Sequence, residues 1–307
     1  MLELIIIGGG PAGIAAGVYA SRKQLKTLFV TKEWGGQSTV SEEIQNWIGT
    51  PAIAGSKLAL DLKEHLTTYA GDYVEIKEGS LVSKIEKTEE GYNIELDSGD
   101  TFSTKAILVA SGSKRRQLPA TNADKFEHKG LTYCASCDGP VFAGQDVVVV
   151  GGGNAAFETA AQLLAYTKSV TLLQRGKEFK ADPVTVEKVL AHPNMTGLKS
   201  IDIEEILGEN FVSGIRYKDN NNGETVDLPV TGIFVEIGMI PNTAYLENVL
   251  ELDKYQRVVI DPWTQKTTAP NIWAAGDCTN VLYHQNNIAA GDAVRALEDI
   301  YVSLRAK

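Results

Sequence analysis

The sequence predicts an α/β fold in which one parallel-sheet unit is used twice, with the second copy inserted into the first. Three observations carry this expectation. "LELIIIGGGPAGIAAGVYASR" opens the chain and "DVVVVGGGNAAFETAAQLLAY" begins at Asp146, each a β-branched run, a triple glycine and then an amphipathic pattern. After each copy comes a segment, residues 91–112 and 214–238, that alternates apolar and polar around a turn and then runs into a strand ending in glycine. The tail from about Pro241 carries "NIWAAGDC", a further strand ending at a glycine–aspartate pair, which returns the chain to the first copy.

Each element has a local cause. A short continuous apolar run fits a strand buried on both faces, and the 3.6-residue periodicity behind it fits a helix packed on that strand. In the register G-x-G-x-x-G/A the first copy supplies Gly8, Gly10 and Gly13, with Pro11 and Ala12 between them. The second supplies Gly151, Gly153 and Ala156, with Asn154 and Ala155 between. Glycine is required where the strand turns sharply and where backbone must approach a pyrophosphate, whose charge then faces the unpaired N–H groups of the helix N-terminus. Two copies in strand–turn–helix context mark two Rossmann-like three-layer nucleotide-binding domains. The segments 91–112 and 214–238 read as hairpins feeding a strand.

Composition narrows the function. At 307 residues the chain is long enough for two cores, and 43% hydrophobic with 22% charged residues is ordinary for a globular protein. A net charge of −10 argues against nucleic acid or an anionic membrane as partner. No apolar run reaches the roughly 18–20 residues that span a bilayer, and the first apolar stretch lacks the flanks of a secretory signal. The chain is expected in the cytoplasm.

Two of the three cysteines sit in "CASCDG", as Cys134 and Cys137 with Asp138 directly behind. In a reducing compartment such a pair does redox or metal chemistry rather than stapling. A zinc site wants four N/S ligands. Cys278 and the four histidines His65, His128, His192 and His284 offer no matching spacing, so no metal is expected. Asp138 reads either as a general acid or as a turn residue before Gly139, and Cys278 as a small packed side chain. Two dinucleotide sites and one thiol pair outline an electron path with one nicotinamide and one flavin, because a thiol pair exchanges two electrons and a nicotinamide gives two at once.

These residues, in this order, resemble the low-molecular-weight thioredoxin reductases, and also the C-terminal part of the alkyl hydroperoxide reductase flavoprotein. The stretches that carry the resemblance are "GGGPAG", "GGQ", "NWIG", "CASCDG", "GGGNAA", "GIFVEIGMIPN" and "AAGDC". The resemblance implies a discontinuous FAD-binding domain, residues 1–114 plus 242–307, and an NAD(P)H-binding domain, residues 115–241, that carries the redox disulfide. FAD is then expected along Gly8, Gly10 and Gly13, with Gly36, Gln37, Asn46, Ala110, Gly112, Gly276, Asp277 and Gln285 around its remaining length. NAD(P)H is expected at the second glycine turn, with Arg175 and Lys180 nearby. By the same resemblance Cys137 faces the flavin, Cys134 attacks the partner's disulfide, and Asp138 protonates the leaving thiolate. The inserted domain would rotate on hinges near residues 113–119 and 238–242 between half-reactions.

The chain departs from that pattern in three places. Relatives that use NADPH place an arginine fork after the second fold, whereas this chain reads "VTLLQRGKEFKAD", with Gln174, Arg175, Lys177 and Lys180. Lysine does not reproduce the planar grip of arginine. The acid that would hold an NADH ribose is also missing, so the cations lean towards NADPH over NADH. His284 stands where many relatives have arginine, and Asn286 where a small apolar residue is usual. The chain also opens at the flavin strand, so the disulfide partner is expected as a separate protein. The expected activity is therefore reduction of thioredoxin or a glutaredoxin-like protein by a homodimer. The alternatives are an electron donor to a peroxiredoxin system, an NAD(P)H oxidase, a ferredoxin-fed enzyme, or a flavin-bound sensor without sustained turnover.

Overall fold

The computed structural model describes residues 1–41 and 43–305, apart from the side chains of Ser136 and Cys137. Two compact units emerge, one of Met1–Lys114 with Ile240–Lys307 and the other of Arg115–Met239. The second crossing thus falls between Met239 and Ile240, two positions earlier than the sequence suggests. The reason is that the crossing lies inside a short strand.

The first unit begins with β1 (Leu2–Ile7), α1 (Pro11–Arg22), β2 (Thr27–Thr31), α2 (Gly55–Ala70) and β3 (Val74–Glu78). It continues through β4 (Val82–Lys87), β5 (Tyr92–Leu96) and β6 (Thr101–Val109). β7 (Ser113–Arg115) leaves for the second unit, which holds β8 (Leu131–Thr132), the four-residue α3 (Ala135–Asp138), β9 (Asp146–Val150), α4 (Asn154–Leu163) and β10 (Ser169–Gln174). There follow α5 (Pro183–Leu190), β11 (Met195–Lys199), β12 (Ile201–Gly208), β13 (Val212–Asp219), β14 (Thr225–Leu228) and β15 (Gly232–Val235). β16 (Met239–Pro241) pairs with β7, and β17 (Ile272–Ala274) and α6 (Asn286–Arg305) complete the first unit.

In the first unit the sheet order is β3-β2-β1-β6-β5-β4, with β17 also pairing β6. β6 serves two sheets' worth of partners because it is long. Its start, Thr101 to Thr104, pairs antiparallel with β5, and its end, Ala106 to Val109, pairs parallel with β1 and, from Ile107, with β17. The strict alternation of β1 decides the packing. Leu4 and Ile6 join Phe29, Leu66 and Trp273 in the core beneath α1, α2 and α6, while Ile5 and Ile7 join Leu28, Ile107 and Val258 on the opposite face. Gly17 lets α1 approach α2, since a methyl there would meet Leu66 Cδ1 at 2.9 Å.

The second unit repeats the plan as an all-parallel sheet, β11-β10-β9-β15-β8, beside an antiparallel sheet β12-β13-β14. Val148 and Val150 face Phe126 and Ile215, while Val147 and Val149 face Phe157 and Leu163 of α4. Both units are therefore Rossmann-like, with a glycine turn after the central strand.

Phe29 is fully buried and stacks on Trp34 with ring centroids 5.5 Å apart. Phe29→Ala should cost about 3–5 kcal/mol. The expected outcome is a lower urea midpoint for the unfolding transition followed by tryptophan fluorescence.

Candidate functional site

The two glycine turns share one geometry. Gly8 N donates to Val30 O at 2.9 Å and Gly151 N to Leu173 O at 3.0 Å, which continues each central strand one residue into the turn. There φ swings to 121° at Gly8 and 142° at Gly151, a region that side chains avoid. A Cβ on Gly8 would lie 2.1 Å from Ala110 O, and one on Gly151 2.3 Å from Glu236 O. At the third position a Cβ on Gly13 would fall 1.8 Å from Gly8 O. Ala156 occupies the matching place in the second unit and is fully buried.

In the first unit this turn opens onto a cleft of about 710 Å³. Gly8, Gly10, Pro11, Ala12, Gly36, Gln37, Ala110, Gly112, Gly276 and Asp277 line it. Gly13 lies behind the turn. Asn46 and Gln285 lie outside the lining but meet each other, Asn46 Nδ2 donating to Gln285 Oε1 at 3.1 Å. The start of α6 is stitched to that loop: Asn287 Nδ2 donates to Asn46 O at 2.7 Å, and Ser38 Oγ donates to Asn286 Oδ1 at 3.1 Å. Asn286, the unusual residue in the sequence, is thus tied to the turn that carries Gln37. His284, the other unusual residue, brings Nδ1 to 3.3 Å from Asp277 Oδ1.

The cleft suits an extended dinucleotide. Its volume lies within the range of cofactor sites, and it is walled by glycine backbone. It also contains the buried hydroxyl of Tyr245, which faces Ser111 and finds no hydrogen-bond partner of good geometry. Glu33, which the sequence motifs did not single out, lines the cleft just past β2. It stands about twenty residues after Gly13, the spacing at which an acid holds a ribose; that spacing is the signal that could have found it. Cys278 is buried beside the cleft, its Sγ 3.5 Å from Ala275 O, and burial pushes the thiol up to about 11.

In the second unit the basic segment after β10 is folded back onto the glycine turn. Lys180 N donates to Gly152 O at 2.7 Å, and Asp182 N donates to Asn154 Oδ1 at 2.8 Å. The side-chain oxygen of Asn154 is therefore engaged with protein. Gln174 is buried against Gly152 and donates Nε2 to Glu178 O at 3.1 Å. Arg175 and Lys177 are exposed, and Lys180 lies on the same stretch. Lys177 and Lys199 line a hollow of about 560 Å³ beyond the end of β11.

The cysteine loop lies in the same unit. Cys134 is half-buried, disulfide-bonded, and stands at the N-terminal end of α3. The side chain of Cys137 falls outside the described residues. Asp138 N donates to Cys134 O at 3.1 Å, closing the turn. Thr132 ties Cys134 and Asp138 together: its hydroxyl donates to Asp138 Oδ2 and accepts from Cys134 N at 3.3 Å. Asp138 thus closes the turn through its N–H and accepts from Thr132 through its carboxyl. Thr132 was not legible beforehand, because its role depends on a strand end meeting α3. Gly139 has no room for a side chain, since a Cβ would lie 2.1 Å from Tyr166 Oη. Among the described residues no cluster of His, Cys, Asp and Glu could hold a metal ion, and no helix is long and apolar enough to cross a membrane.

Two glycine-turn units and a disulfide-bonded cysteine loop thus lie in one chain. Residues 2–295 match the family described as pyridine nucleotide-disulphide oxidoreductase, and the chain belongs to that family. The "NADH dehydrogenase" of Bacillus subtilis (strain 168) is 35% identical over 294 residues, covering 96% of this chain and 57% of that protein. The alkyl hydroperoxide reductase F protein of Escherichia coli (strain K12) is 37% identical over 297 residues, covering 96% and 56%. The chain thus spans little more than half the length of these relatives. Among solved structures, the thioredoxin reductase from Streptococcus pyogenes superposes with a TM-score of 0.90 at 29% identity, covering 100% of this chain and 99% of that one. The thioredoxin reductase from Giardia duodenalis gives 0.91 at 29% identity, covering 98% and 99%.

Two outcomes check this geometry. Gly13→Val forces helix from strand at the first turn, so the purified variant should hold less than about a tenth of the wild-type flavin per protein, read from absorbance. Cys278, with about a thousandth of its thiol ionised at pH 8, should resist iodoacetamide in the native protein and react on unfolding, as followed by mass spectrometry.

Proposed function

We propose that the chain is an NAD(P)H-dependent thioredoxin-disulfide reductase that carries FAD in its first unit and a nicotinamide nucleotide at its second glycine turn. The observation that carries this reading is the disulfide-bonded Cys134 joined, through Thr132, to the carboxyl of Asp138. The glycine cradle and the Tyr245 hydroxyl support FAD in the cleft, with Glu33 towards its ribose and Asp277 towards its other half. The flavin, when bound, supplies the two-electron relay between nicotinamide and disulfide.

The protein's own residues do the rest. In the reduced dithiol, Cys134 attacks a sulfur of the partner's disulfide as a thiolate, forming a mixed disulfide and displacing a partner thiolate. Asp138 gives that thiolate its proton, with the Thr132 hydroxyl fixing the carboxyl beside the turn. Cys137 then attacks Cys134, which restores the enzyme disulfide and releases the partner as a dithiol. The strands Ser113–Arg115 and Met239–Pro241 serve as the straps on which the second unit turns between half-reactions. The cations near the β10 end lean towards NADPH, and dimeric assembly with a cytoplasmic location belongs to the same reading.

A second reading has its own support. The likeness to the alkyl hydroperoxide reductase F protein at 37% identity favours delivery of electrons to a peroxiredoxin system. Oxygen consumption and peroxiredoxin-dependent turnover, measured beside thioredoxin reduction, separate the two.

Cys134→Ser should lower reduction of thioredoxin by at least about a thousandfold while the flavin still bleaches with the nicotinamide nucleotide. Disulfide reduction that survives this change overturns the assignment. Asp138→Asn should slow the disulfide step by about a hundredfold or more, with flavin bleaching unchanged. Stopped-flow bleaching with NADPH and NADH side by side decides the cofactor.

A further inference from the structure

The two units differ at one matched position. Ala110 directly follows β6, its N–H taken by Ile7 O at 2.8 Å and its carbonyl set against Gly8. Glu236 directly follows β15 in the same way, its N–H taken by Val150 O at 2.7 Å and its carbonyl set against Gly151. At this matched position one unit therefore carries a methyl and the other a carboxyl. Glu236 is half-buried, and Thr159 Oγ1 of α4 donates to its Oε1 at 2.9 Å. The charged groups that face it are Arg115 from β7 and Glu158 from α4. Burial pushes the Glu236 carboxyl up to about 7, against the pull of Arg115 and Thr159, so it changes charge near neutral pH.

Sheet order says which half of a dinucleotide would meet this group. The order is β10-β9-β15. The pyrophosphate belongs over the turn after β9, and the adenosine ribose over the end of β10, where the second strand reads it. The nicotinamide half is left over the end of β15, where Glu236 stands. That ring is cationic when oxidised and neutral when reduced, and a carboxylate attracts only the first.

We propose that Glu236 discriminates between the oxidation states of the bound nicotinamide: once ionised it holds the oxidised ring, and once protonated it loses that preference. This rests on the second unit being the nicotinamide site. Binding of the cation favours the carboxylate and releases its proton, so affinity for the oxidised nucleotide rises with pH through neutrality. Oxidised product is then held in alkaline medium and released in mildly acidic medium. A carboxyl present only to accept from Thr159 would show no such coupling.

Calorimetric titration of the flavin-loaded, oxidised protein tests this with ligands that undergo no reaction. NADP⁺ is compared with 2′-phospho-ADP-ribose, and NAD⁺ with ADP-ribose, so that each pair differs only in the nicotinamide. From about pH 6 to about pH 8 the nicotinamide-bearing ligand should gain about tenfold in affinity over its counterpart. Glu236→Gln should flatten that gain, and Thr159→Val, which removes the donor to the carboxylate, should move its onset to higher pH. An equal pH response in each pair, or an undiminished gain in Glu236→Gln, overturns the proposal while leaving the nucleotide site standing. Failure of both nucleotides and both counterparts to bind overturns the site reading and this proposal with it.

Discussion

The close approach of a neighbouring carbonyl to the first glycine after the central strand governs both units. Ala110 O and Glu236 O each occupy the space that a Cβ would need on Gly8 and Gly151. Because that space is filled by backbone, no rotamer change can relieve a substitution. The strand must end there, the helix must start three residues later, and the helix N-terminus must point at the crevice above the sheet. The end of the central strand and the start of the helix behind it follow from one close backbone contact, repeated in each unit.

What was legible in the sequence was what short-range chemistry fixes. The glycine registers, the apolar runs of β1 and β9, the hairpins around Asp97–Asp100 and Asp219–Glu224, and the strand before Gly276 all declare themselves within a few residues. The branching of β6 does not, because nothing in "TFSTKAILV" says that its first half pairs backwards and its second half pairs with two parallel strands. Nor do the Asn46–Gln285 bond, which joins positions far apart in the chain, or Thr132, whose hydroxyl matters only once α3 has folded over it. Glu33 is a different case, since its spacing from Gly13 was readable.

Glu236 shows why duplicated architecture is worth comparing with itself. In "GIFVEIG" it looks like an ordinary polar residue at a strand end. Only the match between one unit's turn and the other's reveals it as the counterpart of Ala110, in a place where burial makes charge costly. Similar folds can thus carry different chemistry at a single matched position.

The segment behind β10 has a practical consequence. Its backbone is clasped to the second glycine turn at Lys180–Gly152 and at Asp182–Asn154, and Asp182 in turn caps α5 through Val184 N and Thr185 N. Protein engineers who wish to swap nucleotide preference would be altering side chains on a rail whose course is already set. Grafted arginines would inherit that course, whereas an insertion or deletion between residues 175 and 182 would disturb the rail and the helix behind it at one stroke.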